Sequence, residues 1–311
     1  MNTNRKPIVC CGLTPCIQRI LEFGHLEKGA VNRAQNVSIG IGGKGANTAR
    51  MVKQLGRESL LVGFAGGANG KLLEQMLVAE GVGFRHVHVE GETRICQTLV
   101  EAGNPESTEL VEEMPRITSG EWRRMAELVR SLDLEGTILP ISGKLPAGAP
   151  VDAYAQLAAI AGSRGGRVIL DAPGEPLLRA LEHEPFLVKI NDAELLQTVG
   201  GEDLIDACLR IIGGGARSVL VTRGSRSAFF VDDTQTLEIF PPAIEAINPV
   251  GSGDAVTAGI AVASANGAGI RECLIDGMAC GAANALNLVS GMLKPEDVER
   301  LRSSVRIESI G

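Results

Sequence analysis

Aromatic residues and excess positive charge are scarce in this chain of 311 residues. Phe, Trp and Tyr together make up 3% of it, and the formal net charge is −7. A nucleic-acid surface needs clustered Lys and Arg, and a platform for single strands also needs exposed rings. The composition therefore excludes nucleic acid as an expected partner, although a few local cations can still hold an anionic small molecule.

Long apolar runs and cysteine pairs at metal-ligand spacing are also missing. No stretch approaches the roughly 18 uninterrupted apolar residues of a membrane helix, and the N-terminal segment shows no apolar core before a cleavage site. The seven cysteines are odd in number and include no CxxC. We therefore expect a reduced, cytoplasmic protein with no membrane span.

The chain has instead many glycines, 39 in all, and short strand and helix patterns that alternate. Strands are predicted over residues 7–12, 17–23, 37–39, 60–64, 137–141, 167–171, 186–189 and 217–222, with a hairpin over 227–240. Helices are predicted over residues 44–55, 71–80, 118–132, 151–163, 202–213, 254–265 and 271–288.

This alternation predicts right-handed βαβ units. The expected fold is a single α/β domain over residues 1–311, in which a doubly wound, mainly parallel sheet is flanked by helices. Extended, alternating segments dominate residues 84–111 and interrupt the α/β pattern. Together with the early strands they predict a small β-sheet lid, formed from about 13–40 and 84–112.

A glycine turn precedes the predicted helix at 254. The segment Asn248-Pro249-Val250-Gly251-Ser252-Gly253-Asp254 would leave backbone N–H groups pointing outward at a helix N-terminus, which favours an anion. Asp254 in the first helical turn could accept a proton from a hydroxyl that attacks a bound phosphate. The plainer alternative is that Asp254 only caps its helix.

A second glycine cluster, Gly40-Ile41-Gly42-Gly43-Lys44-Gly45-Ala46-Asn47, also begins a helix. Lys44 and Asn47 would present a cation and an amide to a polyhydroxylated or phosphorylated ligand. The literal G-x-G-x-x-G match is a weak dinucleotide signal, and a Walker A loop fails because Gly45 follows Lys44 where Ser or Thr is required. A glycine turn with a solvated lysine is the remaining alternative.

These two segments, in this order and separation, resemble the PfkB (ribokinase-like) carbohydrate kinases. Further likenesses run from about residue 8 to about residue 300 and favour the branch of 1-phosphofructokinase and tagatose-6-phosphate kinase. They are Val31-Asn32-Arg33, Gly91-Glu92-Thr93-Arg94, Ser142-Gly143-Lys144-Leu145-Pro146, Leu170-Asp171-Ala172-Pro173-Gly174, Lys189-Ile190-Asn191-Asp192-Ala193-Glu194 and Thr222-Arg223-Gly224.

The resemblance implies an ATP- and Mg²⁺-dependent kinase of a sugar phosphate, such as fructose 1-phosphate or tagatose 6-phosphate. Asp254 would be the catalytic base, and the amides of Gly251, Ser252 and Gly253 its anion hole. The acceptor would be bound by Gln18, Gly42, Gly43, Lys44 and Asn47, and its phosphate by Arg94 with Arg33 and Lys144. Nucleotide contacts would come from Lys189, Asn191, Thr222, Gly224 and Asn284, and magnesium would be positioned by Asn191 and Glu194.

Three positions depart from the family pattern. Gln18 stands where an aspartate is usual, Pro249 where a threonine is common, and Lys144 where a serine is common. The change at Gln18 removes a charge and adds donors, so the acceptor sugar stays open. Kinase activity on an unphosphorylated sugar or nucleoside, and a sensor whose catalysis has lapsed, are the alternatives. A homodimer that pairs through the lid is a further expectation.

Overall fold

The computed structural model describes residues 5–103 and 107–310. Its strands are β1 (Ile8–Gly12), β2 (Cys16–Phe23), β3 (Asn36–Gly42), β4 (Ser59–Ala65), β5 (Gly83–His88), β6 (Ile95–Glu101), β7 (Ser107–Val111), β8 (Ile138–Ser142), β9 (Arg167–Asp171), β10 (Leu187–Asn191), β11 (Ser218–Arg223), β12 (Arg226–Asp232), β13 (Thr236–Phe240) and β14 (Arg306–Ser309). Its α-helices are α1 (Lys44–Gln54), α2 (Gly67–Ala79), α3 (Ser119–Arg130), α4 (Ala153–Ser163), α5 (Glu175–Ala180), α6 (Asp192–Val199), α7 (Leu204–Gly213), α8 (Ser252–Ala265), α9 (Ile270–Ala285) and α10 (Pro295–Arg302).

A ten-stranded sheet forms the centre of the molecule, in the order β14-β13-β12-β11-β10-β9-β8-β1-β4-β5. The strands from β11 to β5 in this order pair in parallel, and β12, β13 and β14 continue the sheet antiparallel. A separate sheet has the order β3-β2-β6-β7. The fold is therefore the expected α/β fold, a mainly parallel sheet flanked by helices with a second, small sheet.

Alternation along the buried strands divides the core between the two faces of the large sheet. In β1, Val9 and Cys11 join one apolar cluster, while Ile8 and Cys10 join the other. The first cluster is completed by residues of α3 to α7, and the second by residues of α1, α2, α8, α9 and α10. Because both faces are covered, the parallel strands read as continuous apolar runs rather than alternating ones.

Several boundaries differ from those expected from sequence. Residues 83–88 pair with β4 in the large sheet, so the predicted start of the second lid segment at 84 is wrong: the small sheet uses only β6 and β7 from that region. The helix predicted to reach Leu288 ends at Ala285. The short α5, α6 and α10 and the edge strand β14 were not predicted, since each is too short to show a clear period.

One backbone contact fixes the start of α1 against β1. A Cβ atom on Gly45 would lie 2.3 Å from Gly12 Cα, and a Cβ atom on Gly12 would lie 2.6 Å from Gly45 Cα. Neither distance is compatible with a side chain, so two glycines are needed where the helix crosses the strand. The close approach places Lys44 and Asn47 directly beyond the carboxyl end of β1.

Within residues 5–103 and 107–310, none of the helices combines the length and the apolar run that a bilayer crossing needs.

We expect Gly45→Ala to destabilise the protein by about 1–3 kcal/mol, because the added methyl group must push the strand and helix backbones apart. The matched control is Gly162→Ala in α4, where an added Cβ meets nothing within 4 Å. That change should be neutral or slightly stabilising. Urea unfolding of both variants measures the difference, and equal midpoints would contradict the packing argument.

Candidate active site

A cleft of about 440 Å³ lies between the small sheet and the carboxyl ends of the parallel strands. In open α/β sheets, ligands bind in such a crevice beyond the carboxyl ends of strands. The residues that line it are Cys16, Gln18, Gly42, Gly43, Lys44, Asn47, Arg94, Cys96, Gln97, Glu109, Val111, Lys189, Asn191, Glu194, Thr222, Val250, Gly251, Gly253, Asp254 and Ser290. Most of the predicted site residues are therefore brought together from distant parts of the chain.

Asp254 lies in the first turn of α8, where its carboxyl group is 5% exposed. Its Oδ2 accepts a 2.9 Å hydrogen bond from Asn47 Nδ2, which joins the two glycine-rich segments directly. Burial, reinforced by the negative charge of Asp171, raises the pKa of Asp254 to about 6. The carboxyl group is thus ionised at neutral pH and is a stronger base than an exposed aspartate.

The turn before α8 leaves backbone donors at the cleft. Gly251 has φ +83° and precedes the helix, and a side chain there would press on Ser290 and Gly291. The amide of Ser252 donates to the Pro249 carbonyl at 3.1 Å, so the expectation of three available amides is wrong for Ser252. Within the described residues, no backbone acceptor is found for the amides of Gly251 and Gly253.

Asp171 ends β9 and holds two lysines of the cleft. Its Oδ1 is 3.1 Å from Lys44 Nζ and its Oδ2 is 2.9 Å from Lys189 Nζ, and the carboxylate is 1% exposed. Burial alone would raise the pKa of Asp171, but the charges of Lys189 and Lys44 outweigh it and hold that pKa below its usual value. The two lysines are therefore held in fixed positions, and Lys189 lies against Gly253.

No role was assigned to Asp171 from sequence, although it lies in one of the segments that carried the resemblance. The available signal was an acidic residue at the end of the apolar strand Arg167-Val168-Ile169-Leu170-Asp171. Cys16, Cys96, Glu109 and Ser290 also line the cleft and were not predicted as site residues. They come from strand faces and a loop whose position depends on the tertiary fold.

Asn191 and Glu194 form the N-terminal cap of α6. Asn191 Oδ1 accepts from the Glu194 amide at 2.8 Å, and Glu194 Oε2 accepts from the Asn191 amide at 3.4 Å. Such a reciprocal capping box fixes both side chains at the start of the helix. Glu194 Oε1 remains 3.7 Å from Lys44 Nζ, so its carboxylate faces the cleft as well.

Gln18 and Arg94 bring the small sheet into the cleft. Gln18 Nε2 donates to Thr98 at 2.8 Å, which leaves the Oε1 side of the amide next to Gly42. Arg94 donates twice to the Thr14 carbonyl, at 2.8 and 3.1 Å, and once to the Glu112 carbonyl at 3.2 Å. These bonds orient the guanidinium group and still leave N–H donors for a ligand, since arginine carries five.

The remaining predicted residues do not line the cleft. Arg33 is exposed, and Lys144 is paired with Glu113 at 2.6 Å on the surface. Gly224 lies in the turn after β11, and Asn284 is fully buried. Asn284 donates to the Val250 carbonyl at 2.9 Å and accepts from the Gly291 amide at 3.0 Å. These bonds support the glycine turn, and the buried side chain does not make the expected direct contact with a nucleotide.

A comparison with protein families matches residues 5–290 to the pfkB family carbohydrate kinases. The chain belongs to this family. It is accordingly a sugar kinase, and the α/β fold with its small sheet is the one expected for that class of enzyme.

Solved structures agree with this assignment. Escherichia coli phosphofructokinase-2, in its tetrameric inhibited form, is 30% identical, with a TM-score of 0.87 over 96% of this chain and 98% of that one. The same enzyme in complex with fructose-6-phosphate gives 28% identity and a TM-score of 0.87 over 96% and 98% of the two chains. A "possible 1-phosphofructokinase" from Thermotoga maritima, 22% identical with a TM-score of 0.85 over 98% and 100%, shares the fold.

The two buried carboxyl groups, those of Asp254 and Asp171, are expected to affect the stability of the protein in opposite directions. The pKa of Asp254 in the folded protein is about 6, above its ordinary value of 3.8, so stability is lost as pH rises between these values. We expect Asp254→Asn to be more stable than the wild type by up to about 3 kcal/mol at pH 7.5, and by roughly half of that at pH 5.

Asp171→Asn is the matched control, because it removes the partner of two charged lysines. Its free energy of unfolding should be about 3–5 kcal/mol lower than that of the wild type at pH 7.5. Guanidinium unfolding of the three proteins at both pH values measures these differences. A less stable Asp254→Asn protein at pH 7.5 would contradict the burial argument.

Proposed function

We propose that this kinase transfers the γ-phosphoryl group of ATP to a hydroxyl of a sugar phosphate, with Asp254 as the general base. The observation that carries the proposal is the position of the Asp254 carboxylate. It is buried, ionised at neutral pH, and lies one residue from the Gly253 amide in a cleft that also contains Lys44 and Lys189. A base beside a group of donors is the arrangement that phosphoryl transfer to an alcohol requires.

In the proposed step, Asp254 takes the proton of the attacking hydroxyl while the new O–P bond forms and the bond to the ADP oxygen breaks. The amides of Gly251 and Gly253 and the N-terminus of α8 stabilise the charge that spreads over the transferred group. Lys189, fixed by Asp171 against Gly253, adds a full positive charge there. Asn47 orients the base through its hydrogen bond to Oδ2.

The ionisable and amide groups of Asn191 and Glu194 fit a role in positioning Mg²⁺. Among the described residues, no group of three or more His, Cys, Asp or Glu side chains could hold a metal. Magnesium typically binds through one or two carboxylates, waters and substrate phosphates, so one carboxylate with a neighbouring amide fits this ion. When bound with ATP, it would neutralise part of the phosphate charge.

The nucleotide would then lie along the ends of β10 and β11. Asn191 and Thr222 are neighbours across these two strands, and both line the cleft. Gly224 follows in the next turn with φ +63°, a conformation that suits glycine. In this proposal Asn284 supports the nucleotide side indirectly, through the turn at Val250.

The acceptor would occupy the side of the cleft formed by Gln18, Gly42, Gly43, Lys44 and Asn47. Arg94 would bind a phosphate already present on the sugar, with Lys144 and Arg33 as further cations. Fructose 1-phosphate and tagatose 6-phosphate are the proposed acceptors. The surface pairing of Lys144 with Glu113 favours a second candidate, kinase activity on an unphosphorylated sugar or a nucleoside.

A coupled assay of ADP release tests this proposal on a panel of fructose 1-phosphate, tagatose 6-phosphate, fructose 6-phosphate, ribose, fructose and adenosine. We expect a phosphorylated ketohexose to give the highest kcat/KM. Asp254→Asn should lower kcat by roughly 100-fold or more, with ATP binding nearly unchanged. A preference for free sugars selects the second candidate, and sugar-phosphate binding without ADP release across the panel selects a sensor.

A homodimer through the small sheet and a reduced, cytoplasmic setting complete the proposal. All seven cysteines are free. Val37, Ile39 and Leu110 are 53, 53 and 49% exposed, and the strand register places them on one face of the small sheet. An exposed apolar sheet face of this kind is a common docking surface for a second copy.

We expect Ile39→Asp to weaken the dimer at least about tenfold, because association would bury an unpaired carboxylate. Val78→Asp is the matched control, since Val78 is 66% exposed on α2, outside that sheet. Sedimentation equilibrium measures both variants. A monomeric wild-type protein at micromolar concentration would rule out this interface.

A further inference from the structure

A second cavity, of about 170 Å³, lies at the amino ends of the parallel strands, whereas the cleft lies at their carboxyl ends. It is lined by Arg5, Lys6, Pro7, Ile8, Arg57, Gly136, Thr137, Ile138 and Ala265. We call it the basal cavity. Ile8 and Ile138 are the first residues of β1 and β8, whereas the cleft contains residues at the last positions of the parallel strands. The two sites therefore share no residue.

Positive charge is concentrated in the basal cavity without equivalent negative charge. Arg5, Lys6 and Arg57 line it, and among its described lining residues there is no Asp or Glu. Lys6 is paired with Asp133 at 2.7 Å. Arg5 and Arg57 instead share a neutral acceptor, Asn266 Oδ1, at 3.0 and 3.1 Å. Two guanidinium groups are thus left with no carboxylate partner among these contacts.

Arg57 is the unusual member of this set because it is a cation that is only 8% exposed. Its Nη1 donates to Asn266 and its Nη2 to the Lys6 carbonyl at 3.3 Å. Its Nε is buried and has no hydrogen-bond partner within the described residues. Burial, and then the nearby charge of Arg5, lower the pKa of Arg57, as expected for a cation that lacks a counter-ion.

A second orphan donor lies in the same wall. Thr137 is 4% exposed, and its Oγ1 is buried without a partner among the described residues. Buried polar groups are normally satisfied, so two unsatisfied groups beside one small cavity show that its wall is unusually polar. An oxyanion in the cavity would offset the positive charge of Arg5, Lys6 and Arg57 and could accept hydrogen bonds from guanidinium N–H groups.

We propose that the basal cavity binds a phosphate group, either free or carried by a small organic anion. Water occupies roughly 30 Å³ per molecule in the liquid, so 170 Å³ admits a group of about five heavy atoms. Arg57 supplies the buried positive charge. Arg5, which is exposed, closes over the anion from the solvent side.

The site is connected to the cleft by a single helix. α8 carries Asp254 in its first turn and ends at Ala265 in the wall of the basal cavity. Its 14 residues span about 21 Å. Asn266, which caps the helix, is the shared acceptor of Arg5 and Arg57. An anion held by these arginines therefore contacts the groups that fix the far end of the helix that carries the proposed base.

Calorimetric titration of the whole protein with inorganic phosphate tests the proposal, with glycerol phosphate as a second probe and ionic strength held constant with chloride. The cleft can also bind phosphate, so the wild type should show two classes of site. Arg57→Gln should weaken one class at least tenfold and leave the other unchanged.

Arg164→Gln is the charge-matched control, because Arg164 is exposed on the same side of the molecule and does not line the basal cavity. It should leave both classes unchanged. Because Arg57 is buried, its replacement can impair folding, so Arg5→Gln tests the same site at an exposed position. This change should weaken the same class about threefold or more. A wild-type isotherm with one class of site, or variants that all match the wild type, would overturn the proposal. Binding of phosphate but not of glycerol phosphate would identify a free inorganic anion as the ligand.

Discussion

The structure of the cleft depends on one buried carboxylate. Asp171 is almost inaccessible to solvent, yet it accepts hydrogen bonds from Lys44 at the start of α1 and from Lys189 on β10. A buried charge of this kind is tolerated only when it is paired and hydrogen-bonded. Two lysines from opposite sides of the site are thereby held at fixed positions, and the same negative charge contributes to the raised pKa of Asp254. One residue thus fixes the positions of both lysines and adds to the effect of burial on the pKa of Asp254.

The glycine-rich segments carry function because they let backbone approach backbone. Gly45 contacts Gly12 of β1, and Gly251 adopts a left-handed conformation against Ser290 and Gly291. The first contact places Lys44 and Asn47 beyond the strand ends, and the second aims the helix start at Asp254 into the same space. The hydrogen bond between Asn47 and Asp254 then joins the two segments, 207 residues apart in sequence. This separation explains why neither segment alone specifies the site.

Much of the fold could be predicted from local patterns in the sequence. The apolar strands and the longer helices have clear periods, and the alternation of the two implied a parallel sheet. β5 was misassigned because its alternating pattern, in Phe84, His86 and His88, resembles a half-buried strand of the small sheet, whereas it is the edge strand of the large one. An edge strand is covered on fewer sides than its neighbours, so its sequence does not reveal which sheet it joins. Asp171 shows only the local signal of an acidic residue at the end of an apolar strand, and the roles of Asp171 and Asn284 arise from contacts with residues far away in the chain.

The contact between Gly12 and Gly45 limits which side of the cleft can be changed by substitution. No side chain fits at either position, so the backbone at the start of α1, which carries Lys44 and Asn47, must stay close to β1. The side of the cleft next to the small sheet is lined by Gln18 on β2 and by Arg94 just before β6. A substitution at Gln18 or Arg94 would therefore alter the shape and charge of the cleft without disturbing the contact between α1 and β1.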